Sequence, residues 1–403
     1  MQLTHRRALA LYALVLVAAV LTMVGTGPAH ADGPGTGAPW VVSLGDSYIS
    51  GEAGRWAGNS NASESYVDAL GPTAYFDNTS GTGEQITRCH RSRSAEVFIG
   101  AGVNSLDLAC SGARTTTYTD SNGNFKPGLD FYNSGGQQGQ ALMLQSLAAT
   151  HNVAMVVVAI GGNDFDFGSI VQSCVTDFLT SPTWFKNFCN DDSSVTANFT
   201  AVHVAAVRAQ IATAYQNVRT AMRNAGYGDT SWTLLVQNYE SPIPNGPAFR
   251  YGESGFTRQS TGGCGFWNAD ATWANTTALP TINGAVFGAA SDSGLTNVRT
   301  LNLAAAFNGH RLCENTDDLV ENHYSGWQAP GAVDGSEWID QIRTVSTATT
   351  DYFVQESLHP NYWGQLAVRS CVRQAWNGGT PRSGTCTTAG AGLLDGEPRM
   401  TLN

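Results

Sequence analysis

The chain has 403 residues, of which 42% are hydrophobic and 13% charged, and its formal net charge is −11. This apolar content is enough for a sizeable core and excludes a disordered chain, and the length allows one large domain or two ordinary ones. An acidic chain without a run of lysines or arginines does not suit a phosphate backbone, so we expect no nucleic-acid partner.

Residues 1–31 have the pattern of a secretory signal peptide. A basic start at 5–7, an apolar run over 8–24 and the cleavage pattern Ala29-His30-Ala31 follow one another. A membrane anchor is the alternative, but the run is short for a span and ends in Gly and Pro. The export route stays open, since the match to a twin-arginine signal is weak. We expect a secreted, extracellular monomer without stable membrane insertion, whose mature part is one domain over 32–403.

Strands and helices are predicted to alternate along the mature chain. Strands are expected at 40–44, 104–109, 153–160, 232–236 and 298–303, and helices at 140–150, 195–225 and 361–376. The run Val153–Ile160 is almost continuously apolar and rich in valine, which is typical of a buried parallel strand. This alternation predicts an α/β fold with a parallel sheet in three layers. The segments 55–100, 240–295 and 314–350 are predicted as long loops that shape a site, and from about residue 388 we expect a flexible tail.

The eight cysteines all lie in the mature part and predict disulfide bonds, because an even number in an exported chain is typical of a disulfide framework. Sequence alone does not define the connectivity, and sequential pairing is the simplest hypothesis: Cys89–Cys110, Cys174–Cys189, Cys264–Cys313 and Cys371–Cys386. A zinc site is the alternative. The sequence has no Cys-x-x-Cys and no Cys/His cluster with ligand spacing, so we expect no metal.

Polar residues follow three predicted strands at their carboxyl ends, where open parallel sheets bind ligands. These are Ser47, Gly112 and Asn163, and His359 precedes the last helix. A serine becomes a nucleophile when a histidine accepts its proton, and the developing oxyanion needs N–H donors. We therefore predict Ser47 as nucleophile and His359 as base, with an oxyanion hole made by Ser47, Gly112 and Asn163. Glu356 is the candidate that orients the imidazole, and no cofactor is required.

Each of these residues also has a structural interpretation when taken alone. Ser47 and Asn163 suit helix N-caps, Gly112 suits a turn, and His359 precedes a proline at a helix start. Their combination favours catalysis, because each residue stands where acyl transfer requires it.

The sequence blocks that contain these residues resemble those of the SGNH hydrolases, also called the GDSL esterase/lipase family. The matching blocks occur in the family's order: Gly45-Asp46-Ser47, then Gly112, then Gly161-Gly162-Asn163-Asp164, then Glu356-Ser357-Leu358-His359-Pro360. The resemblance implies a flavodoxin-like α/β/α sandwich, ester hydrolysis without a metal, and catalytic roles for Ser47, Gly112, Asn163 and His359. The exported form with disulfides and long loops resembles esterases and lipases secreted by soil actinobacteria.

The last block departs from the pattern of many relatives, which have Asp where Glu356 stands. Glu is one methylene longer, and a main-chain carbonyl is an equally good alternative for orienting the histidine. Residue 49 is Ile, so the Gly-x-Ser-x-Gly nucleophile elbow of α/β-hydrolases is absent.

Three further features have alternative interpretations. Asp46 is expected to hold the turn through hydrogen bonds. His310, beside a predicted disulfide, is interpreted as structural, with substrate contact as the alternative. The basic cluster Arg88–Arg93, which includes His90, is either a solvated face or a site for an anionic head group such as a phospholipid phosphate.

These observations predict a secreted serine esterase or lipase that acts on a small-molecule or lipid ester. The alternatives on the same scaffold are a carbohydrate O-deacetylase, a phospholipase A and an acyltransferase, because loops that select the substrate have no readable code. A non-catalytic secreted binding protein is the alternative from another class.

Overall fold

The structure, a computed structural model, describes residues 34–344 and 355–403, and the predicted signal peptide at 1–31 lies outside them. The strands in chain order are β1 Trp40–Gly45, β2 Asn104–Asp107, β3 Tyr118–Thr119, β4 Phe125–Lys126, β5 Asn133–Ser134, β6 Gln137–Gln138, β7 Val153–Ala159, β8 Thr233–Gln237, β9 Val298–Asn302, β10 Gly384–Leu394 and β11 Glu397–Leu402. The five strands predicted for the sheet are present, each within two residues of its expected bounds.

Seven strands form the central sheet in the order β11-β10-β9-β8-β7-β1-β2, and its neighbours pair in parallel except for β10 with β11. The chain leaves β1 for β2 on one side and returns to β7 on the other. Val42 therefore lies between Leu106 and Val156 in the register. Such a reversal makes the carboxyl end of β1 a topological switch point, which is where open α/β sheets bind ligands.

Helices flank the sheet. In the described residues they are α1 Ser47–Ser50, α2 Gln140–Ala148, α3 Phe167–Thr180, α4 Ser193–Thr196, α5 Ala201–Asn224, α6 Thr257–Ser260, α7 Asn268–Trp273, α8 Leu279–Asp292, α9 Val320–His323 and α10 Tyr362–Trp376. The three predicted helices correspond to α2, α4 to α5, and α10. A π-helical turn at Ala274–Ala278 joins α7 to α8 within the segment 240–295, which was predicted as a loop.

Successive side chains of a strand pack alternately into two separate cores, because they point to opposite faces of the sheet. Val156 and Val158 of β7 pack with α2, α5 and α8 on one face. Met155 and Val157 pack with α10 on the other face. This arrangement confirms the predicted three-layer α/β fold.

The carboxyl terminus differs from the expected flexible tail. Strands β10 and β11 form a hairpin that extends the sheet, with Cys386 opposite Leu402. Arg373 of α10 binds both carboxylate oxygens of Glu397 at 2.5 and 2.6 Å, and Met400 is buried against the same helix layer. The Gly- and Thr-rich sequence of β10 does not indicate this, because the stabilising contacts come from elements distant in the chain.

All four sequentially paired disulfides are confirmed, namely Cys89–Cys110, Cys174–Cys189, Cys264–Cys313 and Cys371–Cys386. Every cysteine is therefore committed to a disulfide, which removes the zinc alternative that depended on cysteine ligands. Across residues 34–344 and 355–403, no helix combines the length and apolar character needed to cross a bilayer.

Candidate active site

The four residues predicted from separate blocks meet at the carboxyl edge of the sheet. Ser47 begins α1 directly after β1, Gly112 follows β2, and Asn163 follows β7. His359 comes from the loop before α10. All four line one open cleft, so the fold brings together groups separated by up to 312 positions in the chain.

Ser47 and His359 are in hydrogen-bond contact, with 2.7 Å between the serine Oγ and the imidazole Nε2. This is the distance at which a histidine can accept the proton of a serine nucleophile. Both side chains are at least nine-tenths buried.

A tight turn presents Ser47. Gly45 has φ 142°, and a Cβ there would lie 1.9 Å from the Ala159 carbonyl oxygen. The same carbonyl accepts the Asp46 N–H at 3.0 Å. The turn therefore requires glycine, because any side chain would push β1 away from β7 and displace Ser47.

Asp46 holds this turn as expected. Its carboxylate accepts the Tyr48 N–H at 3.1 Å, which caps α1, and the Tyr239 hydroxyl at 2.5 Å. Burial raises the pKa of Asp46 to about 7, although these two hydrogen bonds oppose the shift. His310 is also placed structurally, stacked on Trp338 with ring centroids 3.9 Å apart.

The orienting group for His359 is the main-chain carbonyl of Ser357, which lies 2.9 Å from Nδ1. Glu356 does not take this role, contrary to its candidacy in the sequence. Its carboxylate instead accepts hydrogen bonds from the Tyr75 hydroxyl at 2.5 Å and the Trp56 Nε1 at 2.8 Å. Both oxygens of Glu356 are thus engaged away from the imidazole, and burial raises its pKa to about 7.

The loop carrying His359 is fixed by backbone hydrogen bonds to a neighbouring segment. Leu358 donates to the Asp340 carbonyl at 3.0 Å, and Asp340 donates to the His359 carbonyl at 2.9 Å. The Tyr48 hydroxyl, one residue from the nucleophile, donates to the Leu358 carbonyl at 3.0 Å. Leu358 has φ 63°, a strained conformation that such contacts maintain. The base and the nucleophile are therefore held by one connected network.

Three N–H groups are available to a developing oxyanion beside Ser47. The Ser47 N–H lies at the first position of α1, where no intrahelical acceptor exists. Gly112 has φ 78°, and within the described residues its N–H donates to no protein acceptor. One amide hydrogen of Asn163 is donated to the Ala113 carbonyl at 2.9 Å, which leaves the second for a ligand.

The loops that carry Gly112 and Asn163 are tied to each other. Asp164 accepts hydrogen bonds from the backbone N–H of Thr115 at 3.1 Å and from its hydroxyl at 2.7 Å. This contact joins the second and third sequence blocks and preorganises the donors.

The environment of His359 favours the neutral imidazole. Burial lowers the pKa of His359, while the charge of Glu52 and the Ser357 carbonyl oppose this change without cancelling it. A neutral imidazole near neutral pH is the form that accepts a proton from serine.

Sequence reasoning missed a buried pair beneath the site. Glu52 contacts the His90 Nδ1 at 2.6 Å and accepts a hydrogen bond from the Gln355 Nε2 at 3.1 Å. Gln355 also donates to the Ser111 Oγ at 2.8 Å, and both of these residues line the cleft. The available signal was Glu52 itself, a charged residue two positions after α1 in an otherwise uncharged stretch.

The basic cluster at 88–93 is buried only in part, because Arg93 is exposed, as expected of a solvated face. His90 is buried against Glu52, and Arg91 is buried with its guanidinium donating to the Leu108 and Ala109 carbonyls at 2.9 and 2.7 Å. Arg93 donates to loop carbonyls at 3.2 Å. The cluster therefore holds loops together.

Two cavities meet at Ser47 and Asn163. The first is an apolar pocket of about 80 Å³, and aromatic and aliphatic side chains line most of it, including Phe167, Ile170, Phe199, Phe266, Trp273 and Ile282. The second is the open cleft of about 570 Å³, which includes His359. An acyl group and a leaving group on opposite sides of one carbonyl would fit this arrangement.

Comparison with solved structures finds several chains of low similarity, and three enzymes are among them. An extracellular lipase from Streptomyces rimosus is 21% identical, with TM-score 0.40, over 81% of this chain and 95% of that one. Phospholipase A1 from Streptomyces albidoflavus NA297 is 20% identical, with TM-score 0.40, over 82% and 95%. A family two carbohydrate esterase from Clostridium thermocellum is 12% identical, with TM-score 0.35, over 85% and 65%. No protein-family model matches the chain, and no curated protein matches it. Because these TM-scores are below 0.5, the similarities assign no function to this chain.

Proposed function

We propose that the protein is a serine hydrolase of carboxylic esters that forms a covalent acyl-enzyme. The observation that carries this proposal is the 2.7 Å contact between Ser47 Oγ and His359 Nε2, beside three N–H donors. A nucleophile, its base and a preorganised oxyanion site are the parts that acyl transfer requires.

The reaction follows from these positions. His359 accepts the Ser47 proton while Oγ attacks the ester carbonyl carbon, and the carbonyl oxygen becomes an oxyanion bound by Ser47, Gly112 and Asn163. His359 then donates the proton to the leaving alkoxide, which departs as an alcohol. Water attacks the acyl-enzyme, giving its proton to His359, and the carboxylic acid leaves as Ser47 regains a proton. The Ser357 carbonyl holds Nδ1–H throughout and stabilises the imidazolium.

The apolar pocket supports an esterase or lipase over an O-deacetylase. Its apolar walls suit an acyl chain longer than acetyl, because each buried methylene contributes about 0.8 kcal/mol. The open cleft places few limits on the alcohol, so a phospholipase A remains a narrower form of the same proposal. Export belongs to the proposal too, supported by four disulfides, which persist in oxidising compartments.

The test is hydrolysis of p-nitrophenyl esters from acetate to palmitate by the mature protein and by Ser47→Ala. We expect turnover that the variant loses, with an optimum beyond acetate. Ser146→Ala is the matched control, because this serine lies exposed on α2. An optimum at acetate would favour a deacetylase. An intact protein that neither turns over esters nor reacts with a serine-directed phosphonate would support the binding-protein alternative.

A further inference from the structure

The wall of the apolar pocket contains a few polar residues, and one of them is a glutamate. Glu240 lies three residues after β8 and lines the pocket together with Ser47 and Asn163. It is 3% exposed. Glu240 therefore belongs to the wall of a cavity whose surface is mostly apolar.

The carboxyl of Glu240 has no partner elsewhere in the described part of the chain. The hydrogen bond that it accepts comes from its own backbone N–H, and none of the other described residues donates to it. Asp46, Glu52, Glu356 and Asp270, which are also buried around the site, each accept a hydrogen bond from another residue. Glu240 is the exception in this set.

The surroundings of Glu240 favour its neutral form. Burial raises the pKa of Glu240 to about 8, and the charge of Asp46 adds to the shift. Tyr48 and Glu96 are the other titratable groups coupled to it, and both would carry negative charge when ionised. A neutral carboxyl offers one O–H donor and one carbonyl acceptor.

A buried polar group without a partner carries an uncompensated desolvation cost, which a ligand atom of complementary chemistry removes. An unsubstituted alkyl chain leaves this cost in place. A chain that bears a hydroxyl or keto oxygen removes it, because that oxygen can accept the carboxyl proton and a hydroxyl can also donate to its carbonyl.

We propose that Glu240 determines acyl specificity by hydrogen bonding to a hydroxyl or keto oxygen on the acyl chain. This inference rests on the proposed ester hydrolysis and names its substrate class: esters of oxygen-substituted fatty acids. Discrimination of this kind is large when a site's polar group is left unpaired by the wrong substrate.

The test compares p-nitrophenyl hexanoate with its 3-hydroxy and 6-hydroxy analogues, so that two positions of the oxygen are sampled. We expect wild-type kcat/KM to favour at least one hydroxylated ester by roughly tenfold or more. Glu240→Leu should abolish this preference, while Glu240→Gln should keep part of it, since an amide also donates and accepts. Glu64→Leu, an exposed glutamate away from the pocket, is the matched control.

A preference of the same size in wild type and in Glu240→Leu would overturn the inference, and so would a wild-type preference for plain hexanoate. Glu240→Ala, which removes both carboxyl oxygens, decides the question if the leucine variant does not fold, because an unchanged preference there also counts against the inference.

Binding of the free acids to Ser47→Ala separates this inference from the proposed function. If no ester is hydrolysed, the proposed function fails. Tighter binding of a hydroxyhexanoate than of hexanoate, lost in the added Glu240→Leu, would still support the role of Glu240. Equal binding of the acids would overturn it.

Discussion

Glu52 and His90 form a fully buried pair, with 2.6 Å between the carboxylate Oε1 and the imidazole Nδ1. Burial by itself would raise the pKa of Glu52, but the contact with His90 lowers it to about 2. Burial likewise opposes protonation of His90, and Glu52 outweighs it and raises the pKa of His90. The pair is therefore charged in the folded protein and lies directly beneath the cleft.

Replacing one member of this pair should be strongly destabilising. Glu52→Gln or His90→Gln removes the opposite charge from the remaining member of the pair, and breaking a buried ion pair in this way typically costs about 3–5 kcal/mol. The double variant should recover part of the loss, because no isolated charge remains. Thermal unfolding of the two single variants and the double variant measures this coupling. Additive losses would contradict a charged pair.

The pair also predicts a pH dependence of stability. The lowered pKa of Glu52 contributes stability above its ordinary value of 4.5, and this is lost as the pH falls towards 2. The raised pKa of His90 contributes stability below its ordinary value of 6.5, and this is lost at higher pH. The stability difference between wild type and the double variant should therefore be largest between about pH 4.5 and 6.5. Calorimetric melting temperatures across pH 3–9 test this, and a flat difference would contradict it.

Glu356→Gln should leave most of the activity. A triad carboxylate contributes about 10⁴ in kcat, whereas Glu356 accepts from Tyr75 and Trp56 and the Ser357 carbonyl orients His359. We expect kcat within about tenfold of wild type and a stability loss of about 1–3 kcal/mol, since one donor loses its acceptor. Steady-state kinetics and melting temperature separate the two effects. A loss in kcat near 10⁴ in a folded variant would restore Glu356 as the orienting acid.

The acid limb of the pH–rate profile should have its midpoint below the ordinary pKa of histidine. The base must be neutral, and burial lowers the pKa of His359 from its usual 6.5. The rate kcat/KM should then fall with decreasing pH at a midpoint below 6.5 and stay level just above it. The measurement is a pH–rate profile with an ester whose leaving group does not titrate in this range. A midpoint at or above 6.5 would contradict the effect of burial.

Asn163→Ala should lower kcat with little change in KM. The free amide hydrogen of Asn163 is placed for the oxyanion, and losing one such donor costs about 10²–10³ in kcat. Asn275→Ala, which changes another residue that lines the apolar pocket, is the comparison, and its effect should fall on KM and stability. A raised KM with normal kcat in Asn163→Ala would place this residue in ground-state binding instead.

Gly45→Ala should disrupt the nucleophile turn. Its Cβ would lie 1.9 Å from a main-chain oxygen of β7, an overlap that only a shift of the strands relieves. Gly100→Ala is the control, because this glycine also has positive φ but no atom lies within 4 Å of its added Cβ. We expect a loss of about 1–2 kcal/mol in the control and a clearly larger one at Gly45. Denaturant unfolding compares them, and equal losses would refute the steric explanation.

From the sequence alone we could predict five of the seven strands of the sheet and could place Ser47, Gly112, Asn163 and His359 in one candidate site. Sequential pairing of the cysteines was the simplest hypothesis, and the structure confirms it. These are local features: apolar runs of strand length, cysteines that close short loops, and polar residues that directly follow strands. They could be predicted because neighbours in the chain produce them. The helix α3, which lines both cavities, was not predicted, although its apolar residues recur at helical spacing.

The hydrogen bonds and packing that hold these residues in place depend on tertiary contacts. Glu356 and Ser357 are adjacent in the chain. Tyr75 and Trp56, which are distant in sequence, hold the Glu356 carboxylate by hydrogen bonds away from His359, and the Ser357 carbonyl orients the imidazole. The burial of Glu52, Glu240 and the hairpin β10–β11 likewise results from contacts between segments far apart in sequence. Burial and long-range pairing set pKa values and hydrogen-bond partners, and no local pattern encodes them.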